Sequence, residues 1–286
     1  MKDLQNTRDH REIPLDHVGV RDLRYPIVIL DQAAGTQQTV ARLSMSVDLP
    51  HHFRGTHMSR FIEVLEHHRG EVTMRTLPII LDELRGRLQA ARARIEVRFP
   101  YFLQRSAPVS HSAALMDYDC WFVGEATGEG NDFLLGVAVP VTSLCPCSKA
   151  ISDYGAHNQR GHVSIEVRSA TDAEGAPAIV WIEELVAMAE RAASAPVYPL
   201  LKRVDERHVT MQAYDNPRFV EDIVRDVAVG LRADPRVAWY SVEAVNQESI
   251  HNHSAYASST WTRLGEAESV NAADAEKSVT ASAIVQ

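Results

Sequence analysis

Hydrophobic and polar residues alternate along several segments of the chain, with the two-residue period of half-buried β-strands. In residues 39–48, Ala41, Leu43, Met45 and Val47 share one face, and polar side chains share the other. Alternation or a short apolar run predicts strands at residues 26–31, 39–48, 95–103, 114–123, 133–139, 161–169, 237–245 and 254–263. Strands are therefore predicted in both halves of the chain.

Apolar residues at helical spacing predict helices between these strands, at residues 58–67, 76–89, 181–193 and 217–232. The last helix is predicted to open with Asn216 as its N-cap and Pro217 in the first helical position. Its apolar stripe is predicted to include Phe219 as a buried residue. Residues 194–215, which precede this helix, are predicted to form a connector.

The order of the predicted elements, ββααββ, occurs twice and indicates an α+β fold of two tandem modules. The first module spans residues 26–126 and the second spans residues 132–264, with the turn-forming sequence TGEGND between them. Residues 1–25 are predicted to be an N-terminal arm, and residues 265–286 a mobile C-terminal tail. We expect two antiparallel sheets, each with helices on one face. Open sheets leave edge strands that need partners, so we expect the chain to oligomerise through its edges.

Composition is typical of a globular protein and argues against several classes. Of the 286 residues, 45% are hydrophobic and 23% are charged, and the formal net charge is −9. This charge argues against a nucleic-acid partner, and an anionic substrate would need a local basic pocket. We expect no membrane partner, because no apolar run reaches about 18 residues. The odd number of cysteines, three, argues against a disulfide framework and favours the cytoplasm.

The most informative stretch for chemistry is residues 140–160, PVTSLCPCSKAISDYGAHNQR. Cys145 and Cys147 flank Pro146, and His157 follows in a polar run. A thiolate and an imidazole form a borderline-soft ligand pair that suits zinc and other first-row divalent metals. The alternative is a small buried cysteine beside a surface histidine, because this is not the paired spacing of structural zinc sites.

A third metal ligand, expected to be a carboxylate, must come from elsewhere in the chain. Glu206 is our choice, with Asp205 as its competitor, and the alternative is that both belong to a solvated charge cluster, KRVDER. Three protein ligands with an open position would form a catalytic rather than a structural site. A metal at such a site can lower the pKa of its water from about 15.7 towards about 7.

Further candidates lie on the helices and connections of the second module. Glu221, at the border of an apolar stripe, could hold a guanidine-like edge by two charge-assisted hydrogen bonds, or could simply face water. His251 and His253 would point the same way on an extended strand and could transfer protons near pH 7, or could be surface residues. Basic side chains that could contact phosphate are Lys149, Arg160, Lys202 and Arg203.

The segments that carry these residues resemble the type IB GTP cyclohydrolase I family. The resemblance runs from GVRDLRYPI through PVTSLCPCSKAISDYGAHNQRGH, YPLLKRVDE and AYDNPRFVED to QESIHNHSAYA, and it covers about residues 15–264. The stretch from Cys-Pro-Cys to His-Asn-Gln-Arg is the most specific part.

The resemblance implies a tunnelling fold (T-fold), with two modules per subunit and a homotetramer built around barrels. It implies conversion of GTP and water to formate and 7,8-dihydroneopterin triphosphate, the first step of folate biosynthesis. One divalent ion per site (zinc, manganese or iron) would be held by Cys145, His157 and Glu206. Glu221 would anchor guanine, and His251 and His253 would shuttle protons, while basic side chains hold the triphosphate.

Two other functions are compatible with parts of the pattern. One is an NADPH-dependent nitrile reductase of the same fold, although that family's glutamate–serine–lysine segment and a dinucleotide glycine fingerprint are absent from the sequence. The other is a non-catalytic metal-binding or redox-sensing module built on Cys145, Pro146 and Cys147.

Overall fold

A single antiparallel sheet runs through both halves of the chain. The computed structural model describes residues 5, 7–171 and 177–263, so the tail predicted at residues 265–286 lies outside the described residues. The strands are β1 (Leu15–Asp31), β2 (Gly35–Leu49), β3 (Ala93–Ser106), β4 (Ala113–Ala126), β5 (Asn131–Leu144), β6 (Asn158–Ser169), β7 (Ala195–Pro196), β8 (Val237–Gln247) and β9 (Ser254–Thr262). The helices are α1 (Met58–His67), α2 (Leu77–Leu88), α3 (Pro146–Ile151), α4 (Ile182–Ala192), α5 (Arg203–Asp215) and α6 (Val220–Ala233).

The strand order is β1-β2-β3-β4-β5-β6-β8-β9, and the short β7 pairs with β5. This arrangement confirms the predicted α+β class, an antiparallel sheet with helices on one face. The prediction of two separate sheets is wrong, because β4 pairs with β5 from Asp119↔Ala138 to Ala126↔Asn131. The TGEGND sequence forms the hairpin turn of that pair, where the Thr127 N–H donates to the Gly130 carbonyl oxygen at 2.9 Å. Turn chemistry therefore joins the two halves at this point.

Strand β1 begins at Leu15, well inside the segment predicted as an arm. It pairs with β2 from Leu15↔Leu49 to Asp31↔Gly35. Its first half is mostly exposed, and burial becomes regular only near Ile27. An edge strand with little burial needs no apolar alternation, so the sequence pattern identified only its buried end.

Helix α5 occupies much of the segment predicted as a connector. Only Asp205 and Ala213 are buried along it, so it carries no apolar stripe that periodicity could detect. Asn216 is the C-cap of α5 rather than the N-cap of the next helix. Its side-chain amide donates to the Ala193 carbonyl oxygen at 3.0 Å. Helix α6 begins later than predicted, and Phe219 is 41% exposed rather than buried.

The predicted apolar faces form the core between the sheet and the helices. The alternating residues of β2 are buried as expected, and they face the buried stripe of α2, which consists of Leu77, Ile80, Leu81 and Leu84. Helices α4 and α6 pack in the same way over the second half of the sheet. Among the described residues, no helix is both long and apolar enough to cross a membrane.

The seam between the two halves is held by an aromatic side chain that lies across a glycine. Trp121 on β4 is paired with Gly136 on β5, which is paired with Glu166 on β6. The indole N–H of Trp121 donates to Glu166 Oε1 at 2.9 Å. A Cβ at Gly136 would lie 2.0 Å from Cε2 of the indole, so only glycine leaves room for this contact. The Trp121 ring therefore links three adjacent strands.

Gly136→Ala is expected to lower the free energy of unfolding by about 1–3 kcal/mol, the usual cost of overpacking. The added methyl group must displace the Trp121 ring and break its hydrogen bond to Glu166. Chemical denaturation measures the free energy, and tryptophan fluorescence reports the displaced ring.

The matched control is Gly128→Ala in the hairpin turn, where a Cβ would meet nothing within 4 Å. This substitution should change the free energy of unfolding by less than about 0.5 kcal/mol. Equal stability of the two variants would contradict the role assigned to Gly136.

Candidate active site

Cys145 and His157 lie side by side at one end of the sheet. Cys145 follows the last residue of β5, His157 precedes the first residue of β6, and the strands pair up to Leu144↔Asn158. The Cys145 backbone N–H donates to the His157 carbonyl oxygen at 3.3 Å. The antiparallel register therefore brings together two residues that the intervening α3 separates along the chain.

The short helix α3 fixes the cysteine side chain. Cys145 is its N-cap, and Pro146 occupies the first turn, where no backbone N–H is needed. The Ser148 N–H donates to Cys145 Sγ at 3.4 Å, and the His157 N–H donates to Ser148 Oγ at 3.4 Å. The thiol is partly accessible rather than buried, so the alternative of a small buried core cysteine does not hold for Cys145.

Glu248 is the acidic neighbour of His157 and was missed by the sequence reasoning. Its Oε2 lies 4.0 Å from His157 Nδ1, and the two side chains are 14% and 12% exposed. Gln159 Nε2 donates to Glu248 Oε1 at 3.0 Å, and Ser249 Oγ lies 3.3 Å from His157 Nδ1. Glu248 follows directly after β8, which pairs with β6 at Arg160↔Gln247. This pairing places Glu248 beside His157. The sequence signal that could have identified Glu248 was its position in the QESIHNH segment.

A buried polar layer lies behind these residues. Asn246 Nδ2 donates to Ser143 Oγ at 3.2 Å, and Ser143 Oγ donates to the Arg218 carbonyl oxygen at 3.0 Å. Asn246 Oδ1 and Gln159 Oε1 are buried and have no hydrogen-bond partner among the described residues. Such acceptors are costly in an apolar interior, so this layer can accept hydrogen bonds from water or a bound molecule.

Asp205, the competing third ligand, serves a structural purpose. Its Oδ1 accepts from the Val109 and Ser110 N–H groups at 2.9 and 2.8 Å. Its Oδ2 accepts from Ser110 Oγ at 2.6 Å and from the Lys202 N–H at 2.8 Å. Burial alone would raise the pKa of Asp205, but these hydrogen bonds lower it below its ordinary value. The carboxylate is thus fully used in holding α5 to the β3–β4 turn.

Glu206 is exposed, and among the described residues it forms no group of three close ligand atoms with Cys145 and His157. Among the described residues, the only three His, Cys, Asp or Glu side chains with ligand atoms all within 4.8 Å of one another are His67, His68 and Glu83. Cys145 and His157 therefore supply two suitable donors, a sulfur and a ring nitrogen, whereas Glu206 does not close the set within one chain. A sulfur and a ring nitrogen are suitable ligands for a divalent ion, and a third ligand would have to approach them.

The other candidate side chains are accessible. Glu221 is exposed in the first turn of α6. His251 and His253 lie in the turn between β8 and β9, with their rings stacked at a centroid separation of 5.1 Å. They are therefore adjacent, although the turn rather than an extended strand places them so.

No contact within the described part of the chain groups the four basic candidates. Lys149 donates to the Tyr214 carbonyl oxygen and lies 4.2 Å from the Tyr214 ring centroid, which ties α3 to the end of α5. Arg160, Lys202 and Arg203 are exposed. Lys149 therefore has a structural partner, whereas the other three remain available to an anion.

The single antiparallel sheet with helices on one face has the arrangement of the tunnelling fold. Similar solved structures include uricase from Arthrobacter globiformis, with a TM-score of 0.51 at 11% identity, covering 87% of this chain and 94% of that one. A uricase from Bacillus fastidious gives a TM-score of 0.53 at 9% identity, covering 91% of this chain and 97% of that one. At such low identity these likenesses concern the fold alone.

Sequence comparison identifies the family within that class. The model of the type I GTP cyclohydrolase FolE2 family matches residues 1–257. The chain is 54% identical to GTP cyclohydrolase FolE2 of Geobacter metallireducens over 257 residues, 90% of this chain and 95% of that protein. It is also 54% identical to GTP cyclohydrolase FolE2 of Syntrophus aciditrophicus, covering 90% of this chain and 98% of that protein. The chain belongs to the type I GTP cyclohydrolase FolE2 family.

Asp205→Asn is expected to lower the urea midpoint of unfolding at neutral pH, because an amide nitrogen would face donors that now meet a carboxylate. The pKa of Asp205 is lowered in the folded chain, so its stabilisation is complete above its ordinary value of 3.8 and is lost as the pH falls through the folded pKa. The difference between the wild-type and variant midpoints should therefore shrink below about pH 4.

Glu206→Gln, on the neighbouring exposed residue, is the control. In metal-free protein it should leave the midpoint unchanged across the same pH range. If the difference between the wild-type and Asp205→Asn midpoints instead grew as the pH fell, the pKa of Asp205 would not be lowered in the folded chain.

Proposed function

We propose that this chain is a metal-dependent GTP cyclohydrolase, which converts GTP and water to formate and 7,8-dihydroneopterin triphosphate in the first step of folate biosynthesis. Membership of the FolE2 family supports the reaction. The structural observation that carries the proposal is the pairing of Cys145 with His157 at the end of β5 and β6. The three free cysteines, Cys120, Cys145 and Cys147, support a reducing cytoplasm as the compartment.

Cys145, His157 and Glu206 would hold one divalent ion per site: zinc, manganese or iron. When bound, such an ion lowers the pKa of a water molecule towards about 7, which makes hydroxide available at neutral pH. The N-cap geometry of α3 holds the Cys145 sulfur at the sheet end before any ion arrives. Preorganisation of this kind reduces the ordering that ion binding would otherwise require.

Glu248 would help to orient the His157 ring by its charge, since its Oε2 lies 4.0 Å from Nδ1, beyond hydrogen-bond distance. Gln159 holds one oxygen of Glu248, and the other oxygen lies on the Nδ1 side of His157. A carboxylate on that side favours the tautomer with a proton on Nδ1, which leaves Nε2 as the free ligand atom. Ser249 Oγ, 3.3 Å from the same nitrogen, is the other polar neighbour on this side.

Glu221 would bind the 2-amino and ring N–H edge of guanine by two charge-assisted hydrogen bonds. Its exposure in the first turn of α6 leaves both oxygens accessible to a ligand. His251 and His253, stacked in the turn after β8, would accept and donate protons as the bonds from C8 to its two ring nitrogens break and C8 leaves as formate. Arg160, Lys202 and Arg203, with Lys149, would supply positive charge for the triphosphate.

A homotetramer would complete the site. Tyr214 of α5 contacts Lys149 of α3. Glu206 lies about two helical turns before Tyr214, so the length of these two turns separates it from that contact. A Glu206 from a second copy could then close the ligand set. Large apolar side chains beside the site are strongly exposed: Ile151 at 86%, Tyr154 at 101% and Ile250 at 67%. Their exposure, with the open edges β1 and β9, favours burial against neighbouring subunits.

Cys145→Ser is expected to abolish GTP turnover and to remove the metal that supports it. Serine is a preferred N-cap and can still accept from the Ser148 N–H, so α3 should remain while the thiolate is lost. Formate release, pterin fluorescence and bound metal per chain are the measurements.

Gly128→Ala, in the remote hairpin turn, is the control and should match wild type in all three measurements. A Cys145→Ser chain that turns over GTP with its full metal content would remove Cys145 from the ligand set.

Glu221→Gln is expected to raise the KM for GTP by at least about tenfold, since a charge-assisted hydrogen bond contributes about 1.5–3 kcal/mol. Metal content should stay at the wild-type value, because Glu221 is not a proposed ligand. Steady-state kinetics and metal analysis separate the two effects.

Glu129→Gln makes the same charge change in the exposed β4–β5 turn and should leave the KM unchanged. If the two glutamine variants bind GTP with equal affinity, Glu221 is not the guanine anchor.

A further inference from the structure

A second cluster of metal-ligating side chains lies in the first half of the chain, on elements that the proposed reaction does not use. His67 is the last residue of α1 and His68 is its C-cap. The chain then reverses through Arg69 and Gly70, whose φ angles are +48° and +73°. A Cβ at Gly70 would lie 2.5 Å from the Pro26 carbonyl oxygen, so this tight turn depends on glycine.

Both imidazoles converge on one carboxylate oxygen of α2. Glu83 Oε2 lies 3.0 Å from His67 Nδ1 and 2.8 Å from His68 Nε2. The other oxygen, Oε1, lies 2.6 Å from Arg87 Nη2, one helical turn further along α2. Arg87 therefore holds Oε1, which also lies 3.2 Å from His67 Nδ1, while Oε2 faces both ring nitrogens.

We propose that His67, His68 and Glu83 form a binding site for a divalent first-row transition cation, of which zinc is the probe. All three ligand atoms lie within 4.8 Å of one another. Ligands at zinc distances of about 2.0–2.1 Å in a tetrahedral site are separated by about 3.3 Å. The two contacts of Glu83 Oε2, at 3.0 and 2.8 Å, therefore need to lengthen by only a few tenths of an ångström. Two imidazoles and a carboxylate are a ligand set that zinc commonly takes.

The exposure of the three side chains matches an open rather than a closed site. His68 and Glu83 are 16% and 19% exposed, whereas His67 is 65% exposed. The cation would take the place of the contacts that now join the two ring nitrogens to Glu83. Water would complete its coordination on the His67 side.

The site would join the end of α1 to the middle of α2. Its ligands are two nitrogens and an oxygen, whereas the set proposed at the sheet end includes the Cys145 sulfur. Because a ligand that binds only the folded state stabilises it, zinc should raise the unfolding temperature through this site as well. The two sites can be distinguished by their spectra, since only a thiolate gives a sulfur-to-cobalt charge-transfer band.

The test uses the full chain with Cys145→Ser and His157→Ala, which removes the sulfur site. After chelator treatment this protein is titrated with cobalt(II) and then with zinc(II). We expect about one cobalt per chain, with no thiolate charge-transfer band. Loss of an outer-shell partner alone weakens metal binding by about 10–100-fold. Adding His68→Ala or Glu83→Gln removes a ligand and should weaken cobalt binding by more than this.

His52→Ala is the matched control, because His51 and His52 form another adjacent pair with ring centroids 5.3 Å apart. No three-ligand group among the described residues includes them, so this variant should keep the cobalt. Glu83→Gln retains an oxygen for Arg87, and circular dichroism checks that α1 and α2 persist.

Metal analysis of the otherwise wild-type chain provides a second measurement, independent of the sulfur-site substitutions. The chain should bind two zinc ions, His68→Ala should bind one, and His68→Ala should keep its GTP turnover. Equal zinc binding by wild type and His68→Ala would overturn the proposal and leave the cluster as a hydrogen-bonded contact between α1 and α2. If only the proposed site at Cys145 did not bind metal, GTP turnover would be absent, whereas the zinc that depends on His68 would still be bound.

Discussion

The register of β5 against β6 is the constraint on which the proposed site depends. Their pairing continues to Leu144↔Asn158, and the next hydrogen bond joins Cys145 to His157 directly. A shift of one residue would turn every alternating side chain to the opposite face, so the buried faces of both strands hold this register. The cysteine and histidine are thus positioned by the sheet, and the short α3 between them orients the sulfur.

Continuity of the sheet extends this constraint to the whole chain. Trp121 lies across Gly136 and reaches Glu166, so the first half is locked to the two strands that carry the site. Pairing of β6 with β8 then brings Glu248 to His157. The side chains that gather at the sheet end come from distant parts of the sequence, and each arrives through strand pairing rather than through a loop of its own.

Buried alternation explains why much of this fold was predictable. The strand at residues 39–48 and the apolar stripe of α2 appear as expected, because each buries one regular face. Helix α5 was missed because only Asp205 and Ala213 are buried along it, and the start of β1 was missed because an exposed edge strand has no apolar period. Cys145 and His157 could be selected by residue type, whereas the proximity of Glu248 to His157 could be identified only from the pairing of β8 with β6.

X-ray absorption spectroscopy of zinc bound to the His68→Ala chain, in which the second proposed site is removed, measures whether the Cys145 sulfur is bound to the ion. One sulfur is expected at about 2.3 Å, with nitrogen and oxygen ligands at about 2.0–2.2 Å. The sulfur signal should disappear when Cys145→Ser is added. A fully loaded, active chain with no sulfur bound to zinc would contradict the claim that Cys145 and His157 hold the ion.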